Sequence, residues 1–325
     1  MRILSGIQPS GKLHIGNYFG AIRQYLRLQA EGHECYYFIA NYHALTSVQD
    51  KALLEEMTLD VARGYLALGI DPDRSVFFLQ SDVPQVTELC WILNCVCPVS
   101  LMEKGTSYKD KVARGLAPSM GLFDYPVLQA ADIVVYDTNL VPVGADQRQH
   151  IEMTRDIAVK LNSTFGADVL VVPEAYIVPE VAVVPGLDGQ KMSKSYNNTI
   201  EIFETPKATQ KRCAVIVTDS TPLEAPKRPE QCNVFALLKL FAGSEEAEEI
   251  AARYRAGGYG YGQAKARLAE LINERFAAAR DRYQQLLKDD AYVRGVLREG
   301  ARKARETAEA TMQRVRAATG IVVNR

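Results

Sequence analysis

Across 325 residues, 38 Lys and Arg stand against 39 Asp and Glu, a net charge of −1, so any hold on nucleic acid must come from local basic patches. Apolar residues make up 47 % and charged residues 24 %, which excludes a disordered chain and allows a core of ordinary size. No uncharged apolar run of about 18 residues occurs, which excludes a transmembrane helix and any expected membrane partner.

The first half of the chain alternates short apolar runs with helical spacing. Arg2–Ile7 reads as a strand, followed by a Gly-rich turn and a helix over about 15–31. Cys35–Ala40 is a second strand, 51–68 a helix, and Ser75–Gln80 a third strand. A helix is expected over 83–95. A further helix is expected over 126–136, opening on Pro126 in the favoured first turn. Residues 140–143 read as a short strand and 147–165 as a helix. This β-α-β order predicts an α/β fold with a doubly wound parallel sheet. After about Thr199 strand-like runs become scarce. Pro206, Pro222, Pro226 and Pro229 suit a connecting segment, and 233–242, 244–256, 261–288 and 291–318 read as helices. Two units are expected, 1–199 and 200–325, in line with about 150 residues per domain.

The six cysteines include no CxxC pair, so zinc and iron–sulfur sites have little support and no dedicated metal site is expected. Cys90, Cys95 and Cys97 flank Trp91 in an apolar run and read as buried thiols. The lack of a disulfide framework, together with an N-terminus that opens on a strand and not on a signal peptide, suits a cytoplasmic location. Residues 108–120 carry Lys109, Lys111 and Arg114. They fit a mobile basic loop beside a site as well as a solvated surface loop.

Three segments carry candidate chemistry. Residues 5–20 read SGIQPSGKLHIGNYFG, a strand running through Pro9, Ser10 and Gly11 into a helix that bears Gly16 early. Free N–H groups at such a helix start attract anions, and His14 adds a donor. A packing turn with a surface histidine fits equally. Residues 186–198 read GLDGQKMSKSYNN, where Lys191 and Lys194 could close over phosphates or could lie solvated. The third segment is the apolar helix after Pro126, with Tyr125, Gln129, Asp132 and Tyr136 on one face. Burying Asp132 there requires a partner, either a nearby base or a ligand donor.

The wording of these segments is more specific than their spacing. His-Ile-Gly-Asn at 14–17 resembles the HIGH signature of class I aminoacyl-tRNA synthetases, and Lys-Met-Ser-Lys-Ser at 191–195 is similar to their KMSKS signature, in the family's order. Asn17 in place of the last histidine, and the span YPVLQAADIVVYDTNLVPVGADQRQHIEMTR at 125–155, resemble the tryptophanyl branch. That resemblance implies a Rossmann-like catalytic domain over 1–199 and an all-helical domain over 200–325 that meets the tRNA anticodon. It implies activation of tryptophan with ATP and Mg²⁺, transfer to tRNA(Trp), and a symmetric homodimer through about 80–125. In that reading His14, Asn17, Lys191 and Lys194 are catalytic. ATP is held by Gln8, Pro9, Ser10, Gly16, Asn17, Gly144, Ala145, Asp146, Val183, Lys191, Met192, Ser193, Lys194 and Ser195. Asp132 accepts the indole N–H, with Tyr125, Gln147, His43, Gln129, Val141, Val143 and Leu4 around the tryptophan. The sequence departs from the family's pattern at Leu4, where an aromatic residue is common, at Asn41, where aspartate is frequent, and at Gln129, where methionine is frequent. Glutamine before Ala-x-Asp also occurs in tyrosyl-tRNA synthetases, so tyrosine is the rival substrate. A non-catalytic nucleotide- or RNA-binding paralogue is the rival class. The basic run Arg298, Arg302, Lys303, Arg305, Arg314 and Arg316 offers phosphate contacts, or else a salt-bridged helix.

Overall fold

The computed structural model describes residues 1–104, 108, 115, 118–144, 147–166, 168–177 and 183–322. Lys109, Lys111, Arg114, Ala145 and Asp146 lie outside the described residues.

Five parallel strands form one sheet: β1 (Arg2–Ile7), β2 (Glu34–Ile39), β3 (Ser75–Leu79), β4 (Leu140–Val143) and β5 (Glu174–Ile177), in the order β3-β2-β1-β4-β5. The order reverses at β1, between β2 and β4. In such a doubly wound sheet the crevice beyond the carboxyl ends at the reversal is where ligands bind. The strands are near-continuous apolar runs because helices cover both faces. Successive residues of β1 therefore enter different cores: Ile3 packs with Tyr37, Ile39 and Phe77 on one face, and Leu4 with Tyr36, Phe38 and Phe78 on the other.

Among the described residues before 200, the α-helices are α1 (Ile15–Asn17), α2 (Arg23–Ala30), α3 (Asn41–Ala44), α4 (Lys51–Leu68), α5 (Gln85–Val96), α6 (Val99–Lys104), α7 (Met120–Val134) and α8 (Arg148–Phe165). A π-helical turn, Tyr18–Ile22, joins α1 to α2 into one rod. Asp50 caps α4, its carboxylate accepting the Leu53 N–H at 2.8 Å, and Gly69 ends it in the left-handed region.

The structure corrects the predicted start at Pro126. α7 begins six residues earlier, with Ser119 as the cap whose hydroxyl accepts the Leu122 N–H, and Pro126 lies inside the helix. Proline removes one ladder bond there, and the buried apolar packing of Leu122, Val127 and Ala130 carries the helix through. Tyr136 falls beyond the helix end. It packs against Tyr36 and Phe78 and leaves the face shared by Tyr125, Gln129 and Asp132. The run around Trp91 is also not core: Trp91 is 71 % exposed and Cys95 is exposed, while Cys90 and Cys97 are half-buried. Helical spacing accounts for it, since Leu89, Ile92 and Leu93 take the inner face of α5.

Every described element after residue 200 is helical: α9 (Pro206–Ala214), α10 (Asn233–Phe241), α11 (Ser244–Ala256), α12 (Tyr261–Leu286) and α13 (Asp290–Thr319), besides one 3₁₀ turn. Pro206, read as part of a connector, is instead the first residue of α9, behind the Thr205 cap. The long α13 returns across the α/β part and covers the edge strand β3. Gly300 permits that approach, because an added Cβ would overlap the Phe77 carbonyl. Glycine to alanine within a helix ordinarily stabilises by up to about 1 kcal/mol. Gly300→Ala is expected to reverse that sign, with a net loss of about 1–3 kcal/mol. Denaturant unfolding of the two proteins checks it, and an alanine variant as stable as the parent would refute the close approach.

The same docking favours the salt-bridged reading for part of the basic run. The Arg316 guanidinium is buried and pairs with Glu88 at 2.6 Å and Glu309 at 2.8 Å. Arg314 pairs with Asp137, and Arg305 donates to the Asp82 carbonyl at 2.8 Å. Arg302 is held by Glu299 and Glu306 on its own helix. These cations bind the helix to the α/β part or to itself. Arg298 is exposed.

Candidate functional site

At the carboxyl end of β1 the chain leaves the sheet through Gln8, Pro9 and Ser10. Gly11 then turns it at φ +105°, a backbone conformation that a side chain would strain. The chain pairs at once with the lysine loop. Ile15 N–H donates to the Ile200 carbonyl and Ile202 N–H to the Leu13 carbonyl, each at 3.0 Å. Across this ladder Lys194 Nζ donates to the Gly11 carbonyl at 2.7 Å and reaches Ser10 Oγ at 3.4 Å. The two segments, more than 170 residues apart in sequence, therefore face one another. Lys191 does not share that contact and stands exposed.

Asn198 shapes the lysine loop. Its Oδ1 accepts the Ser193 N–H at 2.8 Å, and its Nδ2 donates to Asp188 and to the Lys191 carbonyl. Ser193 Oγ accepts the Ser195 N–H, and Met192 N–H donates to the Val184 carbonyl. Val183, just before it, is exposed. On the opposite side, Asn17 Oδ1 accepts the His14 backbone N–H, leaving its amide nitrogen as a donor. The His14 ring is buried, with Nδ1 unpartnered. An added Cβ on Gly16 would crowd that ring and approach Met192, so the space over Gly16 is filled by these two side chains.

Charge follows from burial. Burial, then the Lys194 charge, lowers the His14 pKa to about 4, so the ring is neutral at pH 7. Burial lowers Lys194 to about 8 against the pull of Asp60 and Glu201, so its ammonium form is marginal just above neutrality. If that ammonium binds a polyphosphate, kcat/KM for ATP falls as pH rises through about 8, because the limb reports the free protein. Lys194→Arg stays charged and is expected to abolish that limb. A limb unchanged in the variant would assign it to another group.

Beside the turn lies a cavity of about 470 Å³ at the carboxyl ends of β1 and β4. It brings together Leu4, Gln8, His43, Tyr125, Gln129, Asp132, Val141, Val143, Gly144 and Gln147. Gln8 is the link, lining the cavity two residues before Ser10. Asp132 sits at the cavity with 1 % exposure. Among the described residues no arginine meets it: Oδ2 pairs with His43 Nε2 at 2.9 Å, and Gln80 Nε2 donates to both oxygens at 2.8 Å. Burial pushes the Asp132 carboxyl up, and the hydrogen bond and charge of His43 and the Gln80 amide pull it back.

Sequence reasoning missed two residues here. Gln80 closes the apolar run SVFFL, and a polar side chain at the carboxyl end of a buried parallel strand was the available signal. His150 also lines the cavity and pairs with Tyr125 Oη at 2.8 Å. It lies three residues after Gln147, on the same side of α8.

Residues 1–277 match the family described as tRNA synthetases class I (W and Y). A tryptophan–tRNA ligase of Campylobacter jejuni is 53 % identical over 315 residues, covering 97 % of this chain and 98 % of the relative. One from Fusobacterium nucleatum is 50 % identical over 323 residues, with 99 % of each chain covered. The crystal structure of the Campylobacter jejuni tryptophanyl-tRNA synthetase complexed with ADP and tryptophan superposes with a TM-score of 0.93. It is 52 % identical and covers 99 % of this chain and 100 % of that one. With its parallel sheet and paired signature segments, this chain belongs to the class I tRNA synthetases of the tryptophan and tyrosine family.

Proposed function

We infer that this chain activates tryptophan with ATP, releasing pyrophosphate, and then transfers the tryptophan to tRNA(Trp). The observation that carries the reading is the meeting of the first turn with Lys194 beside a cavity in which buried Asp132 is held by His43 and Gln80.

The chemistry needs no protein nucleophile. A tryptophan carboxylate oxygen attacks the α-phosphorus, and the bond from that phosphorus to the β-phosphate bridging oxygen breaks. A terminal ribose hydroxyl of the tRNA then attacks the carbonyl of the mixed anhydride, and AMP leaves. Catalysis comes from positioning and from stabilising charge on the departing phosphates. Asp132 accepts the indole N–H, with His43 beside the ring and Tyr125, Gln129 and Gln147 toward the amino group. Leu4, Val141 and Val143 form the wall. The 8–10 turn, neutral His14, Gly16 and Asn17 hold the nucleotide against Gly144, Ala145, Asp146, Val183 and Met192. Lys191, Ser193, Lys194 and Ser195 take the phosphates. Among the described residues no three His, Cys, Asp or Glu side chains converge as metal ligands. In this reading Mg²⁺ would accompany the ATP phosphates and neutralise their charge.

The division at about residue 200 belongs to this proposal, with the helical part meeting the anticodon and Arg298 as its exposed cation. So does a cytoplasmic location. Among the described residues no helix is long and apolar enough to cross a membrane, which by itself names no compartment. A homodimer is supported by Trp91, Val99 and Met120, which leave 71 %, 64 % and 75 % of their surface exposed within 80–125. Trp91→Asp is expected to convert the dimer to a monomer in light scattering, and a variant still dimeric would move the interface elsewhere.

The decisive assay is ATP–pyrophosphate exchange with each amino acid, followed by aminoacylation of tRNA(Trp). Exchange with tryptophan is expected. Exchange with tyrosine alone would overturn the substrate, and none with either would favour a binding protein without catalysis.

A further inference from the structure

Asp132 is useful to an indole only if one lone pair points at the ring and the others are occupied. An ionised carboxylate offers about four acceptor positions. Gln80 Nε2 lies 2.8 Å from both oxygens, so it straddles the two lone pairs that face each other. His43 Nε2 takes a third position, on Oδ2. The outer lone pair of Oδ1 is what remains.

The Gln80 amide cannot turn around. It is fully buried, and its Oε1 accepts the Tyr42 backbone N–H at 2.9 Å, which assigns the NH₂ group to the carboxylate. Its own carbonyl is fixed as well, accepting the Val83 N–H at 3.1 Å. A donor so fixed keeps the carboxylate in one plane and favours an acceptor over a carboxylic acid, whose O–H would face the substrate N–H with the wrong polarity.

We propose that Gln80 is a positioning residue for substrate choice: by straddling Asp132 it presents a single oriented acceptor to the ring N–H of the amino acid. This rests on the reading of Asp132 as the indole acceptor. Gln80 makes no claim on the reacting atoms, and its effect passes through Asp132.

The test compares tryptophan with benzothienylalanine, which has ring sulfur in place of the N–H, by kcat/KM in ATP–pyrophosphate exchange. The parent protein is expected to prefer tryptophan strongly. Gln80→Met keeps the length and removes the donor, and the preference is expected to fall by about tenfold or more, with the sulfur analogue little affected. Gln80→Leu also removes the donor with a different apolar shape, with the same expected loss; it carries the test should the methionine variant fail to fold. Equal losses for both amino acids in a folded variant would mean packing alone and would overturn the proposal. A parent protein that does not distinguish the two amino acids would overturn the indole reading of Asp132 instead, and the proposal with it.

Discussion

Asp132→Ala is expected to lower kcat/KM for tryptophan in pyrophosphate exchange by roughly 10- to 150-fold, the equivalent of about 1.5–3 kcal/mol for a hydrogen bond to a charged group. The kinetic loss arises because the indole N–H enters the cavity and finds no acceptor. The Gln80 amide and the His43 ring, both aimed at the missing carboxylate, lose that partner as well. For Gln80, which is fully enclosed and cannot recover a water, that cost falls on folding stability and not on kcat/KM. KM for ATP is expected to change little, because Asp132 lies in the cavity and not at the turn that meets Lys194. Steady-state kinetics with each substrate varied in turn checks this. An equal rise of both KM values would point to general loss of structure.

Lys194→Ala is expected to reduce kcat by about 10²- to 10³-fold, the usual cost of removing one donor aimed at developing charge. Pyrophosphate departs as a polyanion, and Lys194 is the cation that reaches the first turn. Its ammonium is partly desolvated, which strengthens its field at short range. KM for tryptophan is expected to hold, since Lys194 does not line the cavity. Lys194→Arg is expected to recover only part of the rate, because a planar fork replaces a compact charge on the same loop. A kcat near the parent's in the alanine variant would assign charge stabilisation to another group.

How much was legible in the sequence varied with the physics of each segment. β1 and α4 were read to the residue because strong apolar patterning, a carboxylate cap and a terminal glycine all agree there. β5 was not read. It has four residues, Glu-Ala-Tyr-Ile, at the sheet edge, too short and too mixed for a period to emerge. α7 was started late because a proline inside a helix is tolerated only when tertiary packing outweighs the lost bond, which no local signal reports. The cavity residues from Leu4 to Gln147 were readable through motif wording, whereas Gln80 was not, as its importance lies in three hydrogen bonds to residues far along the chain or across a turn. For Arg314 and Arg316 the sequence leaves phosphate contact and a salt-bridged helix both open, because it shows the charge but not Glu88 or Asp137 opposite it.

One claim underlies the rest: a single crevice at the reversal of the sheet holds an aromatic amino acid and a triphosphate side by side. A crystal structure of this chain with tryptophan and a non-hydrolysable ATP analogue tests it most directly. The indole nitrogen should lie within hydrogen-bond distance of Asp132 Oδ1, with the phosphates between the Ser10–His14 turn and Lys194. An indole bound away from Asp132, or phosphates seated elsewhere on the protein, would contradict the account.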